Sequence, residues 1–361
     1  MMVERISVLM CVYNTQEDYL REAINSILNQ TYKNIEFVIV DDGSTIEIKN
    51  ILSEYEIADS RVKIITNSNN IGLTKSLNIG LNYCNGKYIA RMDSDDISLP
   101  TRLEEQKKYL DNNEDVVLVG SDIICFGNNI EDFDTSKLDD RYVKYEIYKI
   151  HSLFHHSGPP HPTFMFRTEF LRTQNIRYRE EITRAQDYGI MADILKAGGV
   201  IKKIRQPLLK YRNHENQITS KALNEQRVFQ LKISYDYIKY LFNEMTKREC
   251  LAVAMLGCEM KIDEVRQLIT ENGKINSIFD NNDIRNLELL YRAKEYIQAQ
   301  KKMLSINSAK NIFDNNMLKK ELYAMWLDKI VYIMKKKRKM WGVSFYSFNC
   351  LLWLCWNKKY K

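Results

Sequence analysis

A chain of 361 residues that is 45% hydrophobic and 28% charged, with only 13 Gly and 5 Pro, has the length for two or three structural units and the composition of a globular protein, which excludes a peptide-sized module and long low-complexity segments. Its formal net charge of +6 is unevenly placed: residues 331–361 hold eight basic side chains and no acid, so the body is slightly acidic and is no basic nucleic-acid binder. The seven cysteines (11, 84, 125, 250, 258, 350 and 355) are odd in number, scattered and free of any Cys-x-x-Cys pair, which fits reduced cytoplasmic thiols better than a disulfide framework or a zinc site.

The N-terminal stretch MMVERISVLMCVYN carries an acid at Glu4 and a very short apolar run, unlike a secretory signal. From there the first 120 residues alternate two kinds of segment. The runs ISVLMCVY (6–13), IEFVIV (35–40), VKIIT (62–66), KYIARM (87–92) and VVLVG (116–120) are β-branched or aromatic, as strands buried on both faces are. Between them, residues 17–30, 46–55, 72–83 and 101–112 carry apolar residues at helical spacing. This rhythm predicts βαβ units: an α/β fold with a mostly parallel sheet and helices on both faces.

Residues 121–220 are less regular. They contain HSLFHHSGPPHPTFMFR and a helical pattern, AQDYGIMADILKAGG, that the Gly198-Gly199 pair should stop. They are expected to complete the same domain, 1–220, as its second half beside a first half at 1–120. Residues 221–334 read as a separate helical region without an interpretable motif. In the tail, 335–361, basic runs flank the 17 residues from Met340 to Trp356, which include Ser344, Ser347 and Asn349. That core is short of the ~20 apolar residues that span a bilayer, and it suits a helix lying on an anionic membrane surface. A helix packed on the body or an oligomer contact is the alternative.

Ligands of parallel α/β sheets bind outside the carboxyl ends of the strands. Tyr13-Asn14-Thr15, DDGST (41–45), NSNNIG (67–72) and DSDD (93–96) all fall there. In DSDD, the period-two alternation of a strand points two carboxylates the same way, and crowded like charges call for a cation between them. A hard divalent ion, Mg2+ or Mn2+, bound together with a diphosphate meets that need. Turn and helix-start residues before Leu99-Pro100 would also use Asp. In DDGST, Asp41 and Asp42 can accept hydrogen bonds from a base and a ribose, or can form a plain turn.

In this order, VLMCVYN, VIVDDGST, NNIGLTKSLNIGL, GKYIARMDSDD, HPTFMFR, AQDYGIMADIL and YRNHENQIT resemble the family 2 glycosyltransferases over about the first 220 residues. That is a group of inverting enzymes with the GT-A fold that build bacterial surface polysaccharides. The resemblance implies that Tyr13 and Asn14 line a nucleotide pocket, that Asp42 faces the uracil of a UDP-sugar with Asp41 nearby, and that Arg91 lies close to the donor. Asn70 and Lys75 fall in a segment shared with the family, where Lys75-Ser76 replaces the usual small pair. Asp93 would face the ribose, Asp95 would bind Mn2+ or Mg2+ with His214, and Asp96 would belong to the turn before the next helix or support the metal site from behind. The resemblance makes Asp187 the general base, preceded by Gln186 where the family usually has an acid. Arg212 would be a second cation for the diphosphate and His161 would lie on the acceptor side, whereas His155 and His156 are expected to be ordinary loop residues.

The implied reaction moves a hexose or N-acetylhexosamine from a UDP-sugar to a glycan acceptor, lipid-linked or a lipopolysaccharide or capsule precursor, on the inner face of the cytoplasmic membrane. Two rivals stand beside it. A sugar-nucleotide nucleotidyltransferase would usually carry a Gly-rich triphosphate loop, which SVLMCVYNTQ lacks. A noncatalytic Mg2+ or nucleotide sensor of the receiver type would be about one third this length and would not need Asp187 or His214.

Overall fold

A computed structural model of the protein describes residues 4–127, 133–135, 158–214, 223–246, 249–250 and 254. His155, His156, the tail at 335–361 and most of the helical region expected at 221–334 lie outside the described residues.

The chain enters as β1 (Ile6–Val12), α1 (Glu17–Leu28), β2 (Ile35–Asp41), α2 (Ile46–Ala58), β3 (Val62–Thr66), α3 (Leu73–Tyr83) and β4 (Tyr88–Asp93). It continues through β5 (Ile97–Ser98), α4 (Arg102–Asn112), β6 (Val116–Gly127) and β7 (Phe133–Asp134). A 3-10 turn at His161–Thr163 leads into β8 (Met165–Arg167), α5 (Thr168–Thr173), α6 (Gln186–Lys196), β9 (Val200–Asn213) and α7 (Leu223–Leu241). The strands form one sheet in the order β3-β2-β1-β4-β8-β6-β9-β5, with β7 paired to β6.

The first four strands in the sheet are wholly parallel, as the βαβ rhythm predicts. Their register sets Val12 opposite Asp41, Cys11 opposite Asp93 and Asp41 opposite Thr66, so the polar ends of β1 to β4 come out on one edge. Ile6, Val8, Met10 and Val12 of β1 alternate onto the face covered by Leu20, Ala23, Ile24 and Ile27 of α1, all buried in one core. Each such side chain stabilises the fold by about 1.5–3 kcal/mol. On the other face α3 lies close to the sheet at Gly80, where a Cβ would stand 2.2 Å from Leu9 Cδ1.

Beyond β4 the pattern changes. VVLVG extends into a twelve-residue strand, and it does not follow β4 in the sheet: β8 lies antiparallel between the two. Three residues, Met165-Phe166-Arg167, are too few for a period to show in the sequence, although Met165 and Phe166 are fully buried. The long parallel pairing of β6 with β9 then carries the chain from Val200 back to Asn213. The expected stop after α6 is present, with Gly198 at φ +80° and the Gly199 N–H donating to the Ile194 carbonyl at 2.9 Å.

Candidate active site

The DDGST turn is held from below and from the side. The Asp42 N–H donates to the Val12 carbonyl at 2.8 Å, and Gly43, at φ +73°, backs onto the 67–72 loop so tightly that a Cβ would meet Asn69 backbone atoms at 2.5 Å. Asn14, itself at φ 49°, donates its N–H to Ser44 Oγ at 3.1 Å, and its side-chain oxygen accepts the Thr45 N–H at 2.8 Å. Tyr13 beside it is half exposed, at 51%.

The two acids of this turn have different surroundings. Asp42 accepts hydrogen bonds from Asn67 Nδ2, the Ile71 N–H and the Gly72 N–H, each at 2.9 Å. Three of the roughly four acceptor directions of a carboxylate are thereby occupied, and Asp42 first of all anchors the loop at 67–72. Asp41 is fully buried; one carboxylate oxygen takes the Ser44 N–H at 2.9 Å and the other, Oδ2, makes no hydrogen bond. Of the four carboxylate oxygens of the pair, Asp41 Oδ2 is the one that accepts no hydrogen bond among the described residues. Asn70 and Lys75, on the loop and in the first turn of α3, are exposed at the same edge.

At the end of β4, carboxylate oxygens of Asp93, Asp95 and Asp96 lie within 4.8 Å of one another, an all-oxygen group that could hold a hard cation. Arg91, buried beneath, grips both oxygens of Asp93 through its guanidinium. Burial pushes the Asp93 carboxyl above its usual range; Arg91 opposes that, and the neighbouring Asp95 and Asp187 add to it. Asp96 differs from its expected role as a turn residue. Its side chain is fully buried within the cluster, where Oδ1 accepts the Arg212 N–H at 2.9 Å and Oδ2 has no hydrogen-bond partner. Burial, reinforced by Asp93 and Asp95, holds its carboxyl well above the ordinary range.

The rest of the site arrives from the far half of the domain. His214 follows β9, and its Nε2 stands 2.9 Å from Asp95 Oδ2 while its ring leans on Tyr19, centroid to centroid 5.6 Å. Arg212 acts as a brace: its guanidinium lies between the rings of Tyr19 (4.1 Å) and Phe126 (4.6 Å), donates from Nε to the Asp95 carbonyl at 2.8 Å, and pairs with Glu22. Gln186 and Asp187 open α6 behind Ala185, which takes the left-handed conformation at φ 58°. Asp187 Oδ1 accepts the Tyr188 N–H at 2.8 Å, and the carboxylate is near enough to Asp93 for its charge to raise the Asp93 pKa. His161 is buried, with Nε2 2.8 Å from the Tyr178 hydroxyl; burial raises the pKa of that phenol, and both Arg91 and Asp187 act on it.

Two supports escape a reading of motifs. Arg102 is fully buried without a carboxylate in hydrogen-bonding contact: it donates to Gln106 Oε1 at 3.0 Å and to the Arg91 carbonyl at 2.6 Å, and burial lowers its pKa to about 9. Gln30 ties the same turn, donating to the Leu99 carbonyl at 2.8 Å and accepting the Leu103 N–H at 3.1 Å. One signal for them exists in the sequence, since Arg102 and Gln106 share the buried face of α4 with Leu103 and Leu110.

Comparison with known proteins gives the family and the fold. The sequence model described as glycosyl transferase family 2 matches residues 7–174. An uncharacterized glycosyltransferase of Haemophilus influenzae is 34% identical over 249 residues, which cover 66% of this chain and 75% of that protein. The O-antigen biosynthesis glycosyltransferase WbnJ of Escherichia coli is 35% identical over 225 residues, covering 61% of this chain and 84% of WbnJ. Among solved structures, residues 1–349 of S. aureus TarS in complex with UDP-GlcNAc align with a TM-score of 0.56 at 18% identity, over 94% of this chain and 93% of that one. At that identity the likeness is one of fold.

Proposed function

The chain belongs to glycosyl transferase family 2 and is a glycosyltransferase, and from that premise we propose that it moves a hexose or N-acetylhexosamine from a UDP-sugar to a glycan hydroxyl with inversion, using a divalent cation and Asp187 as general base. The observation that carries this reading is the crowding of Asp93, Asp95 and Asp96 oxygens within 4.8 Å of one another at the end of β4, a set of cation-binding oxygens that suits a departing diphosphate, while Asp187, in the first turn of α6, offers a carboxylate for the general-base role.

The DDGST turn suits the nucleotide: Asp41 Oδ2 is an acceptor without a partner, Asp42 keeps one of its acceptor directions, and Tyr13 at the end of β1 is half exposed. Asp93, fixed from behind by Arg91, would take the ribose hydroxyls. The cation fits the residues present, since Asp96 Oδ2 is buried without a partner and Asp95 stands beside His214; Asp95 and Asp96, with His214, would hold it. When bound, Mn2+ or Mg2+ supplies Lewis-acid stabilisation for the negative charge of the departing diphosphate. Asp187, in the first turn of α6, would remove the proton of the attacking hydroxyl from the side opposite the leaving group.

The relative WbnJ supports a surface polysaccharide as the acceptor class, and the basic-aromatic tail supports docking on an anionic membrane where a lipid-linked acceptor would lie. Among the described residues no helix is long and apolar enough to cross a membrane. The test is a panel of UDP-sugars, with and without Mn2+ or Mg2+, in the presence of a bacterial lipid extract as acceptor pool. The reading expects one UDP-sugar to release UDP and the release to stop with EDTA. Release from a GDP- or CMP-sugar alone, or release undiminished by EDTA, would overturn the donor or the cation assignment.

A further inference from the structure

The stretch from Tyr178 to Asp187 leads into the proposed base, and α3 holds it at two points. Thr74 and Asn78 lie four residues apart and therefore on one face of α3, and both are buried. Asn78 pairs with the Tyr178 backbone as a neighbouring strand would: its Oδ1 accepts the Tyr178 N–H at 3.0 Å and its Nδ2 donates to the Tyr178 carbonyl at 2.8 Å. Thr74 Oγ1 donates to the Ile182 carbonyl at 3.0 Å. Two side chains of α3 thus supply the backbone partners that this irregular stretch would otherwise need from a sheet.

Both ends of the arrangement are anchored. Ile182 and Ala185 pack with Tyr188 and Ala192 of α6 and with Phe229 and Ile233 of α7, so a shift at Ile182 is carried into the helix that begins with Asp187. At the other end α3 starts at Gly72, whose N–H is bound by Asp42. One line of bonds therefore runs from Asp42 of the DDGST turn, through α3, to the segment bearing the base.

We propose that Thr74 and Asn78 are positioning residues for the transfer: they set the place of Asp187 relative to the donor edge while touching neither substrate. The inference rests on the reading of Asp187 as the base. General-base transfer demands hydrogen-bond reach, and a displacement of about 1 Å can cost up to ~100-fold in rate.

Thr74→Val removes the hydroxyl and keeps the shape, whereas Thr74→Ser keeps the hydroxyl. Measured on the full chain with Mn2+ and whichever UDP-sugar of the panel releases UDP fastest, Thr74→Val should lower kcat about ten-fold with KM and UDP affinity within about two-fold of wild type. Thr74→Ser should restore kcat, and Thr74→Val should add nothing in an Asp187→Asn background, as expected of a residue that acts through Asp187. Should Thr74→Val fail to fold, Asn78→Ala must give the same split between kcat and KM. Wild-type kcat in Thr74→Val, equal losses in the Val and Ser variants, or an undiminished effect of Thr74→Val in the Asp187→Asn background would overturn the proposal. An inactive Asp187→Asn beside a fully active Thr74→Val sinks this inference alone; a fully active Asp187→Asn sinks the base assignment and this inference with it.

Discussion

Residues 4–112 and residues 113–214 contribute to the same strand edge by different physical means. In the first stretch Tyr13, Asp41, Asp42 and Asp93 stand where β1, β2 and β4 end, and parallel register alone gathers them. In the second, β9 is carried to the acids by its pairing with β5 and β6, Arg212 and His214 then meet Asp96 and Asp95 through side-chain hydrogen bonds that bridge more than a hundred residues, and Asp187 rides on a helix set by the contacts of Ile182 and Ala185. The first half is gathered by parallel strand ends and the second adds long-range side-chain pairings to its ladders, so substitutions in the two halves should fail differently.

The largest effect on binding should come from Asp95→Ala, at the junction of the halves. It should weaken cation-dependent UDP binding by about 100-fold without lowering the melting temperature, as titration calorimetry with and without Mn2+ would report. Gly43→Ala should act on the first half through the backbone. A Cβ there meets Asn69 at 2.5 Å and φ is +73°, so unfolding should become easier by about 2 kcal/mol in a urea titration, with UDP binding weakened in parallel. His214→Ala removes one of the long-range pairings of the second half. It should reduce Mn2+ affinity about ten-fold while the urea midpoint stays put, and a large drop in that midpoint would mean that the pairing holds up the fold. Arg21→Ala marks the lower end: Arg21 bridges Glu17 and Glu54 on the surface at 2.8 and 2.9 Å, and its loss should change stability by no more than about 0.5 kcal/mol.

The same contrast explains what could be read from the sequence. β1 to β4 and their helices were legible to within a few residues, because alternation of apolar strands with helical spacing is a local signal. The DSDD and DDGST turns were legible as an edge, yet the separate duties of their acids were not. Asp96 reads as a turn residue until the Arg212 backbone is seen to bury it, and the free buried acceptor of DDGST is on Asp41, while Asp42 is bound to the loop at 67–72. β8 was hidden because three residues show no period, and its insertion antiparallel between β4 and β6 depends on contacts no spacing encodes. Asp187 and His214 are singled out only by resemblance to a family, whereas Arg102 and Tyr178 escape a reading of motifs because their partners lie outside any motif.

The central claim is that the two halves close one transfer site, with the base from the second half acting on a donor held by the first. Its most direct test is the Asp187→Asn variant measured for UDP affinity by calorimetry with Mn2+ and for UDP release from the active UDP-sugar in the presence of acceptor. The account predicts wild-type UDP affinity with release reduced by about 10²–10⁴-fold. Release at the wild-type rate would contradict it.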